Sequence, residues 1–133
     1  MKTYTIKTDE DIRFFLEKTN FLHDGYLIGV EYVNGAVLNV DENGCYVNPD
    51  DKKLLLRFLV TSIWNTVVEL EFDAVRKWKL EEDGWEFLDT SVHFEGEEIF
   101  WLDGEYIDRK HMEDNCYVIA KSMKWRIVEQ KGA

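Results

Sequence analysis

The sequence predicts an α+β fold that is mostly β: an antiparallel meander, either a curled sheet or a sandwich, with one amphipathic helix near the N-terminus. Three observations predict it. Asn-Gly and Asp-Gly pairs recur between short apolar runs, and such pairs suit the left-handed positions of tight hairpin turns. Two central runs alternate apolar and polar residues with a period of two, as a sheet with one wet face requires. Only the segment after Thr8 carries apolar residues at helical spacing.

That segment comes first. Thr8 followed by Asp9, Glu10 and Asp11 reads as an N-cap with a capping box and an acidic first turn. Ile12, Phe15 and Leu16 then share one face as far as Lys18, and Asn20 is a stop signal. Phe21 and Leu22 anchor the exit. From Gly25 onward the turns set the rhythm. Asn34-Gly35 separates 26–33 from 36–40, and Asn43-Gly44 follows. In the next run Leu54, Leu56, Phe58 and Val60 share a face. After a connection at Ile63-Trp64-Asn65, Val68, Leu70 and Phe72 face one way, Glu69 and Glu71 the other. Asp83-Gly84, Glu95-Gly96-Glu97 and Asp103-Gly104 punctuate the following short runs. The last strand spans 116–128, with Tyr117, Ile119, Met123, Trp125 and Ile127 alternating with Ser122, Lys124 and Arg126. Residues 109–115 fit a loop or a helical turn.

A chain of 133 residues is one domain's worth, 1–133, and large enough to bury a core without staples. Aromatics make up 14 % of it, there is one proline, and no Gly/Ser-rich linker interrupts it. The N-terminus lacks the apolar run of a signal peptide, and no charge-free stretch reaches membrane-spanning length. The expectation is a soluble, cytoplasmic protein with no membrane partner. Cys45 and Cys116 read as free thiols, although a bridge between them stays open at this point. A net charge of −11 disfavours nucleic-acid binding and leaves basic partners open.

The charge is unevenly spread. Residues 81–108 hold eleven of the 27 acids and no Lys or Arg, leaving sixteen acids against sixteen bases elsewhere. Aromatic residues, among them Trp85, Phe94, Trp101 and Tyr106, are interleaved with the acids. One reading is a solvated sheet face whose opposite side packs its aromatics into the core. The other is a docking surface, in which acidic rims steer a basic partner and aromatic anchors hold it. The residues expected to carry docking are Glu95, Glu97, Glu98, Trp101, Asp103 and Glu105.

Chemistry is less legible. His23-Asp24 offers a general base or a metal ligand, but neighbours in a strand point to opposite faces, so a turn with structural roles is favoured. His93 and Glu95 share a strand face and, with Glu97 or Glu98 returning across the turn, would form a cation site. A third His or Cys at matched spacing is missing, so neither a metal nor a cofactor is expected. Asp41-Glu42-Asn43-Gly44 lacks the ligand spacing of a calcium loop. No nucleophile elbow and no phosphate-cradling glycine loop occurs. Trp64, Trp78, Trp85, Trp101 and Trp125 would serve either a core or an aromatic ligand pocket.

Phe21-Leu22-His23-Asp24, followed by alternating strands and then Leu70-Glu71-Phe72-Asp73-Ala74-Val75, resembles a pattern of small bacterial domains. Some of these are similar to immunity proteins of polymorphic toxin systems, in which a Phe-x-His-Asp opening precedes a strand-rich body. The resemblance covers the first half of the chain and implies that His23 and Asp24 are signature positions. The functional expectations rank as follows: a non-enzymatic interaction domain for a basic protein, a toxin among them; a small-ligand binder with an aromatic pocket in the curved sheet; and a hydrolase-like enzyme using His23 or His93 with carboxylates. The strand at 116–128, if it lies at an edge, would pair with a second copy into a homodimer.

Overall fold

The computed structural model describes residues 1–39, 44–81, 86–87 and 89–128. In chain order the elements are β1 (Thr3–Thr5), α1 (Asp9–Lys18), β2 (Gly25–Val33), β3 (Val37–Asn39), β4 (Gly44–Tyr46), β5 (Lys53–Val60), β6 (Thr66–Lys79), β7 (Glu86–Phe87), β8 (Thr90–Glu95), β9 (Glu98–Asp103), α2 (Arg109–Glu113) and β10 (Tyr117–Val128). One antiparallel sheet runs β7-β2-β5-β6-β10-β9-β8, with β1 also on β10. The sheet is curled and nearly closed. Its two outermost strands, β7 and β8, follow one another in the chain with only residues 88–89 between them.

The helix starts as its residues dictate. The Thr8 hydroxyl accepts from the Asp11 amide at 3.1 Å, and the Asp11 carboxylate accepts from the amides of Thr8 and Lys7 at 3.0 and 2.9 Å. Ile12 and Phe15 are buried, and Leu16 packs beside them. Phe15 meets the Trp125 ring at 5.3 Å, and Tyr4 of β1 stacks on the same indole at 4.6 Å. The helix and β1 thereby cover the Trp125 end of the sheet.

Inside the curl, Leu54, Leu56, Phe58 and Val60 of β5 face Val68, Leu70 and Phe72 of β6 in register. Phe87 of β7 and Trp101 of β9 approach from opposite ends of the strand order. Their rings lie 5.8 Å apart, and Phe58 touches both, at 4.9 and 5.9 Å. Interlocked aromatic packing of this kind holds the curl shut across the seam.

On the wet face Glu69 is buried all the same. It accepts from Arg57 at 3.1 Å and Arg126 at 3.2 Å, and Arg126 also reaches Glu71 at 3.1 Å. Carboxylates and guanidiniums on three adjacent strands thus shield one another from water.

Three expectations are corrected. Asn34-Gly35 is not a hairpin turn: β2 pairs with β5 and β7, and β3 with β4. Gly35 has φ 72°, and a side chain there would meet Asp51 at 2.5 Å, so glycine is required by backbone conformation and by close approach. Secondly, the last strand is not an edge. β10 has β6 on one side and β9 and β1 on the other, so its hydrogen bonds are taken and the homodimer route through it is closed. Thirdly, β10 does not keep one inner face. Val118 and Ala120 face the main core, as do Met123 and Trp125, with two outward residues between. Partner strand β6 changes phase at the same place, between Phe72 and Val75, where Ala74 has φ 53°. Tyr117 and Ile119 therefore face outward and join Phe100, Leu102 and Met112 in a second core. Of the two alternatives left open for residues 109–115, the structure has the helical one: 109–113 form a short helix, α2, capped by Asp108, and its Met112 is buried in that second core.

Cys116 is a free, buried thiol, and burial pushes its pKa up. Among the described residues no helix is long and apolar enough to cross a membrane. The stretch 41–43, and with it Asn43 of the turn expected at Asn43-Gly44, the turn expected at Asp83-Gly84 and Trp85 lie outside the described residues.

Candidate functional site

Among the described residues the acidic meander does not form one surface. The β8–β9 hairpin pairs Glu95 with Glu98 at its tip and Thr90 with Asp103 at its base. At the spacing of a β-strand the two ends are about 17 Å apart. Glu95, Glu97 and Glu98 sit at the tip, Asp103 and Glu105 at the base. The tip carboxylates are met by cations from other elements. Arg76 binds Glu98 through two nitrogens, at 2.5 and 2.9 Å, and this pairing raises the guanidinium pKa. Arg109 lies 3.9 Å from Glu95. Glu97 is exposed. Trp101 is corrected from a docking anchor to a core residue, because it has no exposed surface and is enclosed by Phe58, Phe72 and Phe87.

The base of the hairpin adjoins a more unusual place. After α1 the backbone passes through Asn20, Phe21 and Leu22 at φ 52°, 58° and 51°, and through Asp24 at φ 55°. Across from it, the β5–β6 connection ends in Trp64 at φ 63° and Asn65 at φ 56°. Six of the seven non-glycine residues with positive φ, among those described, therefore gather at one end of the sheet. Asn and Asp tolerate this conformation; Phe, Leu and Trp adopt it at a cost of roughly 1–2 kcal/mol each.

Hydrogen bonds between the two loops sustain the arrangement. The amide and hydroxyl of Thr61 donate to the Asp24 carbonyl. The Ser62 hydroxyl donates to the His23 carbonyl at 2.5 Å and accepts from Asn20 Nδ2 at 3.1 Å. The Thr66 hydroxyl closes the turn on the Ile63 carbonyl. Leu22 is fully buried, which fixes the first loop to the core. Outward from this clamp point Trp64, 96 % exposed, and Phe21, 42 % exposed.

His23 and Asp24 do approach, contrary to the alternation argument. Asp24 leaves the strand geometry at φ 55°, and its Oδ2 lies 3.6 Å from His23 Nε2. Asp89 lies 3.9 Å from His23 Nδ1. A shallow cleft of about 300 Å³ runs from here between Phe21, Asp89, Ser91 and Glu105. Among the described residues the acids at this end include Asp24, Asp89 and Glu105, with Asp103 beside them at the base of the hairpin. The nearest hydroxyl bonded into the cluster, Ser62, donates to a carbonyl and not to the imidazole. Among the described residues no three His, Cys, Asp or Glu side chains converge to hold a metal ion. His93 and Glu95 share a face as expected, 3.7 Å apart.

The aromatic pocket has one counterpart. A cleft of about 500 Å³ lies between β2 and the end of β6, lined by Leu27, Val30, Trp78, Leu80 and Glu81. Tyr32 packs on Trp78 at 5.1 Å. Of the tryptophans, Trp101 and Trp125 are core, Trp78 is half-buried and Trp64 is exposed.

The exposure of Trp64 was not legible from its neighbours, since Ile63-Trp64-Asn65 carries no Gly. The one available signal was a large aromatic in a connection between two alternating strands. The fold and this site define a curled antiparallel sheet that presents an exposed aromatic tip beside carboxylates. No family model matches the chain, and no curated protein or solved structure matches it either.

Proposed function

We propose that the protein is a non-enzymatic interaction domain that docks a basic protein through the sheet end carrying Trp64 and Phe21, with Asp24, Asp89 and Glu105 as an acidic rim. The observation that carries this reading is Trp64. It is the most exposed large hydrophobic side chain described and sits on a clamped, left-handed turn. Neither property helps folding: the ring gains nothing from the core, and the backbone conformation disfavours a β-substituted residue. Both suit recognition. The clamped backbone of the turn loses little conformational entropy on binding, and hiding about 200 Å² of the ring at about 25 cal/mol per Å² is worth roughly 5 kcal/mol before other costs. The surrounding carboxylates speed encounter with a cationic surface and select for it.

This reading keeps the acidic-aromatic docking expected from the sequence but moves its centre. Glu105 stays, while Trp64 and Phe21 replace Trp101. The resemblance at Phe21–Asp24 falls within the same loop and supports an immunity-type role, with a basic toxin as partner. The free thiol of Cys116 suits a reducing compartment, the cytoplasm.

The test is affinity capture from the source organism's lysate at low salt, followed by a salt gradient. Wild type is compared with W64A, with D24N/D89N/E105Q and with E95K/E97K/E98K at the opposite end of the hairpin. The expected result is one basic protein retained by wild type and by the triple-lysine variant, and lost by the other two. Equal retention by W64A, or no specific retention by wild type, overturns the reading.

A second reading, favoured by the Trp78 cleft, is binding of a small apolar molecule. It predicts thermal stabilisation by such a compound in wild type and not in W78A.

A further inference from the structure

His93 occupies a position that folding alone does not reward. On the outer face of β8 its ring is held between Phe100 of β9, at 4.9 Å, and Tyr106 of the loop leading to α2, at 4.3 Å. Both ring nitrogens are buried and have no hydrogen-bond partner. A neutral imidazole is both a donor and an acceptor, so each nitrogen forfeits a bond it would make in water. A protonated ring would carry its charge between the same two rings, with 29 % of the side chain exposed.

The charged groups around it come from several elements. Glu95, on the same strand, has its Oε2 3.7 Å from His93 Nε2, beyond hydrogen-bond reach. Arg109, the first residue of α2, lies over the Phe100 ring at 4.9 Å and within 3.9 Å of the other oxygen of Glu95. Glu113, also on α2, is 3.7 Å from Arg109 and 3.3 Å from Lys77 of β6. β9 presents the Phe100 ring, and β10 presents Tyr117, over which Lys77 lies at 6.0 Å. His111 is turned to Asp108 at 2.8 Å, where it helps hold the Asp108 carboxyl below its usual range. Burial, the largest influence on His93, pushes its pKa below the ordinary imidazole value; Arg109 lowers it further, and Glu95 opposes both.

From this geometry we infer that His93 is a proton-operated latch on the flap formed by residues 104–108 and α2. Uncharged, it is the flat surface on which Tyr106 closes. Protonated, it draws Glu95 to itself and away from Arg109, while its charge repels the Arg109 guanidinium. α2 is thereby loosened at its first turn, and the half-covered imidazolium gains hydration by opening the flap. What opening uncovers is the second core: Phe100, Leu102, Tyr117 and Ile119, otherwise covered by Met112 and Tyr106. The flap is suited to such release, since α2 has five residues and buries one.

The sign follows from the lowered pKa. The native flap binds fewer protons than the open one, so closure is fully favourable above the ordinary imidazole value. It weakens as pH falls through that value towards the lowered one.

The experiment is backbone hydrogen exchange across residues 104–116 of the full chain from pH 7.5 to 5.0, corrected for intrinsic rates. The His93 imidazole titration is followed by NMR in the same samples. Wild type should lose protection by up to about tenfold per pH unit, the limit for one proton, in step with His93. H93F, which keeps a flat ring, should retain protection at pH 5.0, and H111N should respond as wild type does. If H93F does not fold, H93Q takes its place. Protection independent of pH in wild type, an acid response that survives loss of His93, or one that disappears in H111N overturns the latch.

Discussion

The amide and the hydroxyl of Thr61 both donate to the carbonyl of Asp24, at 3.2 and 2.9 Å. One backbone oxygen thus joins the loop that carries Trp64 to the loop that carries Phe21 and His23. Thr61→Val keeps the shape and the amide bond but removes the hydroxyl. It should cost about 1 kcal/mol in urea unfolding and broaden the Trp64 indole resonance as the tip loosens. An unchanged indole signal would show that the turn holds itself.

Trp64 separates stability from recognition. At 96 % exposure its ring contributes nothing to the core, so W64A should unfold within about 0.5 kcal/mol of wild type. W64G goes further. Glycine adopts φ 63° without the side-chain penalty, so this variant should be neutral or more stable by up to about 1 kcal/mol. Both variants should lose the captured partner. A clear destabilisation of W64G would remove the argument that the turn is strained.

Trp101 should behave oppositely. Its replacement by Ala leaves a void among Phe58, Phe72 and Phe87 and should cost about 3–5 kcal/mol. Its Nε1 is buried without a partner, so W101F, which removes that donor and loses less volume, should cost clearly less than W101A. Equal costs in denaturant melts would mean that the indole nitrogen is satisfied.

Glu69 lies under two guanidiniums, Arg57 at 3.1 Å and Arg126 at 3.2 Å. Removing its carboxylate leaves Arg126, itself mostly buried, without one partner. Glu69→Ala should therefore cost about 3 kcal/mol, the scale for breaking a buried pair from one side. Glu69→Gln, which can still accept from one guanidinium, should cost less.

The Asp11 carboxyl is held below the usual carboxylate range, chiefly by the Lys7 amide and also by Thr8. Its contribution to stability is complete above the ordinary carboxylate value and disappears as pH falls through the lowered one. Hydrogen exchange in the first turn of α1, taken relative to the intrinsic rate at each pH, should therefore rise with acid in wild type. In D11N it should be high at neutral pH and flat with pH; a steep acid response in D11N would assign it to another carboxyl.

By itself the sequence determined the local structure of the helix and of two central strands. The spacing of Ile12, Phe15 and Leu16 after Thr8 specifies α1, and the strict alternation of 54–60 and 66–72 specifies two paired strands with one inner face. Those properties depend on backbone period and on neighbours a few residues apart, which one chain displays directly. What only the tertiary structure decided depends on which strands become neighbours. Glu98 looks like free charge until β6 brings Arg76 to it, and Trp101 looks like an anchor until the curl closes Phe58, Phe72 and Phe87 around it. Tyr117 and Ile119 seem to belong with Met123 and Trp125 until β6 and β10 change phase together. The proposed site is the extreme case. Residues 20–24 and 61–65 are about forty positions apart, and only the folding of β2 onto β5 clasps them through Thr61, Ser62 and Asn20 and leaves Trp64 without a core to enter.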